Sequence, residues 1–308
     1  MTIDRRLLVI ARKFNDIFYS VSIPEWKLYG RRTLVIISND EMKENFPMTG
    51  LFDDVIYFPA ETKSVISLYR LIREIYSCSQ RILSDTVVLS NPTMAINQYI
   101  ISVSGCRDII FVEDGLMNYY KYVPRKSLKK LVINRLLNLD SSSILSKIAK
   151  TYISSPSLAV YYFGQLSGLK INFDLIEKNI RPVDDLSGKR IFVGQDLYRW
   201  GHCTVDEYNQ LINRIIEKYD IDLYIPHAFA SDAETVMGCQ CFRIIDATLE
   251  VLASKYDFEV FSFNSSVLFT TKIINPRIKS HAVVSSVLND MSLPPILEQC
   301  CDDILNAE

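Results

Sequence analysis

Short apolar, β-branched runs alternate with longer stretches of helical spacing along most of the chain. In the first half the runs are RRLLVIA (5–11), TLVIIS (33–38), DVIYFP (54–59), TVVLS (86–90) and DIIFVED (108–114), each bounded by turn formers, which predicts strands. Within 63–83, Val65, Leu68, Leu71, Ile72 and Ile75 recur at helical spacing and predict an amphipathic helix. Such alternation implies parallel strands joined by crossover helices. The second half repeats the grammar with RIFVGQ (190–195), DLYIPH (222–227), CFRIID (241–246), FEVFSFN (258–264) and TTKIIN (270–275). Between the first two of these, Thr204 followed three residues later by Glu207 predicts a capped helix start. The segment 181–189, RPVDDLSGK, is rich in turn formers and has no period, so it is the expected hinge between two α/β domains whose sheet edges face a cleft.

Three of these runs end in residues with chemistry. IIFVEDG (109–115) delivers Glu113 and Asp114, DLYIPH delivers His227, and EVFSFNSS (259–266) delivers Ser265 and Ser266. Open α/β sheets bind ligands beyond the carboxyl ends of their strands, so the three ends are placed where a site belongs. Adjacent carboxylates at a strand end point to opposite sides, so only one of Glu113 and Asp114 faces a cleft fully. A carboxylate shielded by Tyr119, Tyr120 and Tyr122 is a candidate general base, and hydroxyls and N–H groups at a strand-to-helix junction can hold a phosphate. Each end also has a plain structural reading: a loop start, a structural histidine, an ordinary serine pair.

Composition narrows the field. At 308 residues the chain is long enough for two domains with real cores. Charged residues make up 23% with a formal net charge of -2, which disfavours nucleic acid as a partner. Seven cysteines without a CxxC and an N-terminal sequence lacking a signal-like apolar stretch predict a reduced, cytoplasmic protein. The segment 121–137 interleaves Lys121, Arg125, Lys126, Lys129, Lys130 and Arg135 with leucines, either as the solvated face of a surface helix or as a peripheral membrane contact. No GxxxxGK[ST] or GxGxxG phosphate loop is present, which argues against P-loop and typical dinucleotide enzymes.

With Glu113, Asp114 and Gly115, then His227, then Ser265 and Ser266 in order, the chain resembles the bacterial sialyltransferases of the lipooligosaccharide and capsule type, glycosyltransferase family 52, and less closely the bacterial polysialyltransferases. DGLMNYY (114–120), RIFVGQD (190–196) and RIID (243–246) extend the resemblance over roughly 105–275. It departs at the His-Pro motif, where this chain has Pro226-His227-Ala228.

The resemblance implies a GT-B-like α/β fold of two Rossmann-like domains facing a central cleft. Residues 1–184 would form the acceptor side, and 185–308 a CMP-binding domain with a C-terminal helix. It implies an inverting, metal-independent transfer of sialic acid from CMP-sialic acid to a sugar such as galactose on an oligosaccharide or glycolipid acceptor, with no cofactor. His227 would face the leaving phosphate, and Gly194, Gln195, Asp246, Ser265 and Ser266 would line the CMP site. The base is Asp114 or Glu113 by the polysialyltransferase pattern and Asp196 by the lipooligosaccharide pattern. A nucleotide-sugar transferase with another donor and a non-catalytic scaffold are the competing readings. Family members can be homodimers, and the tail 292–308 is either an interface or a closing helix.

Overall fold

A computed structural model describes the chain except for residues 1–4, 39–47, 60–64, 121–132, 136, 138, 180–184, 228–233, 243–247 and 289–291. It divides into two compact units, Met1–Ile180 and Arg181–Glu308. The basic segment 121–137 lies almost wholly outside the described residues, as do Asp246 and the first half of the expected hinge.

The first unit is built on a seven-stranded, all-parallel sheet in the order β3-β2-β1-β4-β5-β6-β7. Its strands are β1 (Arg6–Ala11), β2 (Arg31–Ser38), β3 (Asp54–Pro59), β4 (Thr86–Leu89), β5 (Asp108–Val112), β6 (Ile148–Ile153) and β7 (Gln165–Gly168). The central strands β1, β2, β4 and β5 bury nearly every residue, as strands covered on both faces must, and this is why they read as unbroken apolar runs. The edge strand β3 alternates instead, with Ile56 and Phe58 buried and Tyr57 turned outward. Helix Val65–Ser77 packs Leu71 and Ile75 onto the sheet, and helix Ser79–Ile82 follows it.

The second unit carries a six-stranded parallel sheet in the order β10-β9-β8-β11-β12-β13. Its strands are β8 (Arg190–Val193), β9 (Leu223–Ile225), β10 (Gln240–Cys241), β11 (Glu259–Ser262), β12 (Lys279–Val284) and β13 (Asp303–Asn306). Phe192, Phe261, Phe263, Tyr208 and Tyr224 form an aromatic core with Leu211, Ile212 and Ile215 of helix Val205–Lys218. That helix starts as its sequence predicts. The Thr204 hydroxyl accepts the Glu207 N–H at 3.2 Å, and the Glu207 carboxylate accepts the Thr204 N–H at 2.7 Å, a reciprocal cap worth about 1 kcal/mol.

Two expectations need correcting. TTKIIN is not a strand: it lies in helix Val267–Ile274 up to its C-cap, Asn275. The hydroxyls of Thr270 and Thr271 donate to the carbonyls four residues back, at Ser266 and Val267, so β-branched residues sit in a buried helix without stranded polar groups. The tail forms only the short helix Pro295–Cys300 and then β13, which pairs with β12 from His281↔Asp303 to Val284↔Asn306. The tail, expected as an interface or a closing helix, therefore carries a short helix and then an edge strand of the second sheet.

Candidate functional site

Both sheets reverse their strand order once. In the first unit the reversal falls between β1 and β4, in the second between β8 and β11. The loops leaving neighbouring strands diverge at such a point, and the crevice beyond the carboxyl ends is where open α/β sheets bind ligands.

At the first reversal the loops carry charged residues that engage one another. Asp16 accepts the N–H groups of Arg12 and Lys13 at 2.7 and 3.0 Å. Lys13 reaches past the end of β4 to Asp114, with Nζ at 2.6 Å from Oδ1, while Asn91 donates to Oδ2 at 3.4 Å. Burial pushes the Asp114 carboxyl above the usual aspartate range, with Lys13 opposing the shift. The turn depends on Gly115, whose φ of 64° lies in the left-handed region. Glu113 points the other way: it is fully buried, its Oε2 accepts the Ser154 N–H at 2.7 Å, and burial raises its carboxyl pKa. Glu113 thus ties the end of β5 to the loop after β6, which leaves Asp114 as the more accessible acid of the pair, at 16% side-chain exposure.

The second reversal holds a cavity of about 370 Å³, lined by Gln195, Asp196, Trp200, His202, His227 and Asn264 among others. Its floor is a clasp. The Gln195 amide accepts the Asn264 N–H at 2.9 Å and donates to the Asn264 carbonyl at 2.5 Å, joining the ends of β8 and β11. Gly194, just before it, is a requirement of packing, because a Cβ there would be driven into the Tyr224 phenol ring and hydroxyl. That hydroxyl donates to Glu234 at 2.8 Å and lies 3.4 Å from the Tyr208 hydroxyl, which accepts the Gln195 N–H at 2.9 Å. Tyr198 donates to the other Glu234 oxygen at 3.1 Å, and burial raises the Glu234 carboxyl pKa.

Beside this clasp two acceptors have no hydrogen-bond partner among the described residues. Asp196 is 5% exposed; its Oδ2 pairs with Arg199 at 3.1 Å, while its Oδ1 is buried without a hydrogen bond, as is Asn264 Oδ1. Unpaired buried acceptors cost on the order of 1–3 kcal/mol each, and these two belong to residues that line the cavity. His227 lines the same cavity, and burial holds its imidazolium below the usual histidine range against the pull of Asp196.

The sequence-derived residues therefore divide between two places. Gln195, Asp196 and His227 share the second cavity, with Gly194 beneath it. Ser265 and Ser266 lead into helix Val267–Ile274, beside but not among the lining residues, and Ser266 is its N-cap without a side-chain capping bond. Glu113 and Asp114 belong to the first unit. Trp200, His202 and Asn264 went unselected, although WGHC follows directly on the GQD turn and Asn264 directly precedes the serine pair. No helix of the described residues is long and apolar enough to cross a membrane, and none of their His, Cys, Asp and Glu side chains form a group of three suited to a metal ion.

No protein-family model matches the sequence, and no curated protein matches it. Solved structures do. The spinosyn forosaminyltransferase SpnP is similar with a TM-score of 0.57 and 10% identity, covering 98% of this chain and 85% of its own. The S. aureus MnaA co-structure with UDP gives 0.56 and 12%, covering 94% and 81%. UDP-GlcNAc 2-epimerase from Methanocaldococcus jannaschii gives 0.53 and 13%, covering 98% and 89%. The fold is GT-B-like, with two Rossmann-like domains. The likeness to family 52 sialyltransferases is overturned, because the chain matches UDP-GlcNAc 2-epimerases and GT-B transferases instead of enzymes of CMP-sialic acid. The ordered trio of strand ends has a simpler origin: β5, β9 and β11 all finish on the carboxyl edge of a parallel sheet, so polar residues there follow from the shared topology.

Proposed function

We propose that the chain is a glycosyltransferase that takes a sugar from a nucleotide-sugar donor, a UDP-sugar, bound in the unit Arg181–Glu308. The observation that carries this reading is a cavity of donor size at the strand-order reversal, lined by Gln195, Asp196, Trp200, His202, His227 and Asn264. Support for the donor class comes from similar folds that hold UDP or UDP-GlcNAc. The start of helix Val267–Ile274, with Ser265 and Ser266, is the assigned place for the diphosphate, where N–H groups and the helix dipole favour an anion.

Transfer in this reading is a single displacement. The acceptor hydroxyl oxygen attacks the anomeric carbon, the bond to the diphosphate oxygen breaks with its electron pair leaving on UDP, and the configuration inverts. The hydroxyl proton passes to a carboxylate, for which Asp114, its pKa raised by burial, and Asp196 are the two candidates. His227, kept neutral by burial near pH 7, serves as a hydrogen-bonding group toward the donor.

Thermal-shift measurements with UDP, CMP and UDP-sugars test the donor class. Stabilisation by UDP and not by CMP is expected, and the reverse, or no response to any nucleotide, sinks the proposal. The similarity to two UDP-GlcNAc 2-epimerases gives a second reading, isomerisation of the sugar while it stays attached to UDP. Conversion of UDP-GlcNAc in the absence of any acceptor would favour it over transfer.

A further inference from the structure

We infer that the cavity at the second reversal is the subsite for the sugar ring of the donor, and that the Trp200 indole is the platform on which that ring lies. The inference rests on the donor reading above and adds which part of the donor goes where.

The first argument is hydrogen-bond polarity. Asp196 Oδ1 and Asn264 Oδ1 are both acceptors, both buried and both without partners among the described residues. An ionised diphosphate offers only acceptor oxygens, and a carboxylate oxygen beside it would repel it. A sugar ring offers several hydroxyl donors. A diphosphate in this cavity would meet the Asp196 carboxylate, whereas ring hydroxyls can meet a wall that carries Gln195, Asp196 and Asn264.

The second argument is the indole. Trp200 lines the same cavity yet is 78% exposed, the most exposed of the large hydrophobic side chains described. Its backbone is ordered by a tight turn: the Trp200 and His202 N–H groups both donate to the Leu197 carbonyl, at 3.2 and 3.1 Å, and the Gly201 N–H donates to the Tyr198 carbonyl at 3.2 Å. An exposed indole on a hydrogen-bonded turn beside polar side chains suits a pyranose, with C–H groups for the aromatic face and hydroxyls for the polar groups.

The chain has two tryptophans, and the other, Trp26, is 6% exposed in the first unit, so long-wavelength emission reports on Trp200. Emission titrations and calorimetry with UDP, UDP-glucose, UDP-galactose and UDP-GlcNAc, on wild type, Trp200→Ala and Trp200→Phe, test the assignment. Wild type should bind at least one UDP-sugar more tightly than UDP, with a blue shift that UDP alone does not produce. Trp200→Ala should lose about ten- to a hundredfold in affinity for that sugar nucleotide, the loss expected for uncovering one aromatic side chain, while UDP binding is kept. Trp200→Phe should recover part of the loss, and unchanged melting temperatures will show that both variants fold. Equal weakening of UDP and UDP-sugar in Trp200→Ala would put the indole under the base and overturn the inference. So would an undiminished preference for the sugar nucleotide in that variant, or a wild type that binds UDP and gains nothing from any of the three sugars. Failure of wild type to bind UDP or any UDP-sugar is a different result: it removes the donor reading itself, and the inference with it.

Discussion

The two strand-order reversals occupy equivalent places in their sheets and hold their aspartates differently. At the first, Lys13 and Asn91 engage both oxygens of Asp114, so the acid of that crevice is satisfied by the protein. At the second, Arg199 engages one oxygen of Asp196 and leaves the other, with Asn264 Oδ1, unpaired above a clasped floor. Orphan acceptors occur at both, since Asp16 Oδ1 and Glu113 Oε1 are also buried without a hydrogen bond among the described residues, so the contrast lies in the two aspartates and in the cavity beside the second. The same topology thus yields one aspartate engaged on both oxygens and one engaged on a single oxygen beside a cavity.

The sharpest way to break this contrast is to fill the floor of the second crevice. Gly194→Val drives a branched side chain into Tyr224 and displaces its bond to Glu234, so a stability loss toward the upper end of about 1–3 kcal/mol is expected, together with loss of UDP binding, measured by denaturant melts and calorimetry. In the first unit, Glu113→Ala removes the acceptor of the Ser154 N–H and should cost about 1–2 kcal/mol while UDP affinity stays within twofold. Its pH dependence has a definite sign. Because the folded-state pKa of Glu113 is raised, its stabilising contribution is fully present below the unfolded value near 4.5 and is lost as pH rises through the folded value. Glu113→Gln should therefore show a flatter stability profile than wild type across that window, and identical slopes would count against the assignment.

The smallest effect on stability belongs to Lys13→Met. Lys13 is 45% exposed, so its ion pair contributes no more than about 1 kcal/mol. The informative readout is turnover. Lys13 opposes the upward shift of Asp114, so its removal should raise that pKa further and move the acid limb of kcat/KM to higher pH. An acid limb that does not move would show that Asp114 is not the base.

Much of the fold was legible in the sequence because burial on both faces writes itself as uninterrupted apolar residues. LLVIA in β1 and LVIIS in β2 are of that kind. The strands that escaped were β6 (IAKTYI), β7 (QLSG), β12 (KSHAVV) and β13 (DILN): β7 and β13 are exposed edge strands, while lysine, threonine, serine or histidine interrupts the apolar run in β6 and β12. TTKIIN misled in the other direction, since its β-branched residues matched strand preference while the threonine hydroxyls were satisfied along a buried helix. Of the site, His227 was found from its position after a strand, and Asp196 through the resemblance to family 52. Asn264 and Trp200 were not, because nothing local marks them. Asn264 reaches the cavity through a clasp to a residue 69 positions away, and Trp200 is distinguished only by its exposure.

That clasp has a consequence for how the chain can be altered. Gln195 grips Asn264 through the main-chain N–H and carbonyl, so the joint is indifferent to the side chain at position 264. The turn 197–202 above it closes with its own backbone hydrogen bonds. Floor and rim are separable parts, and a library of turns grafted over residues 197–202 would vary ligand choice while leaving the foundation of the cavity in place.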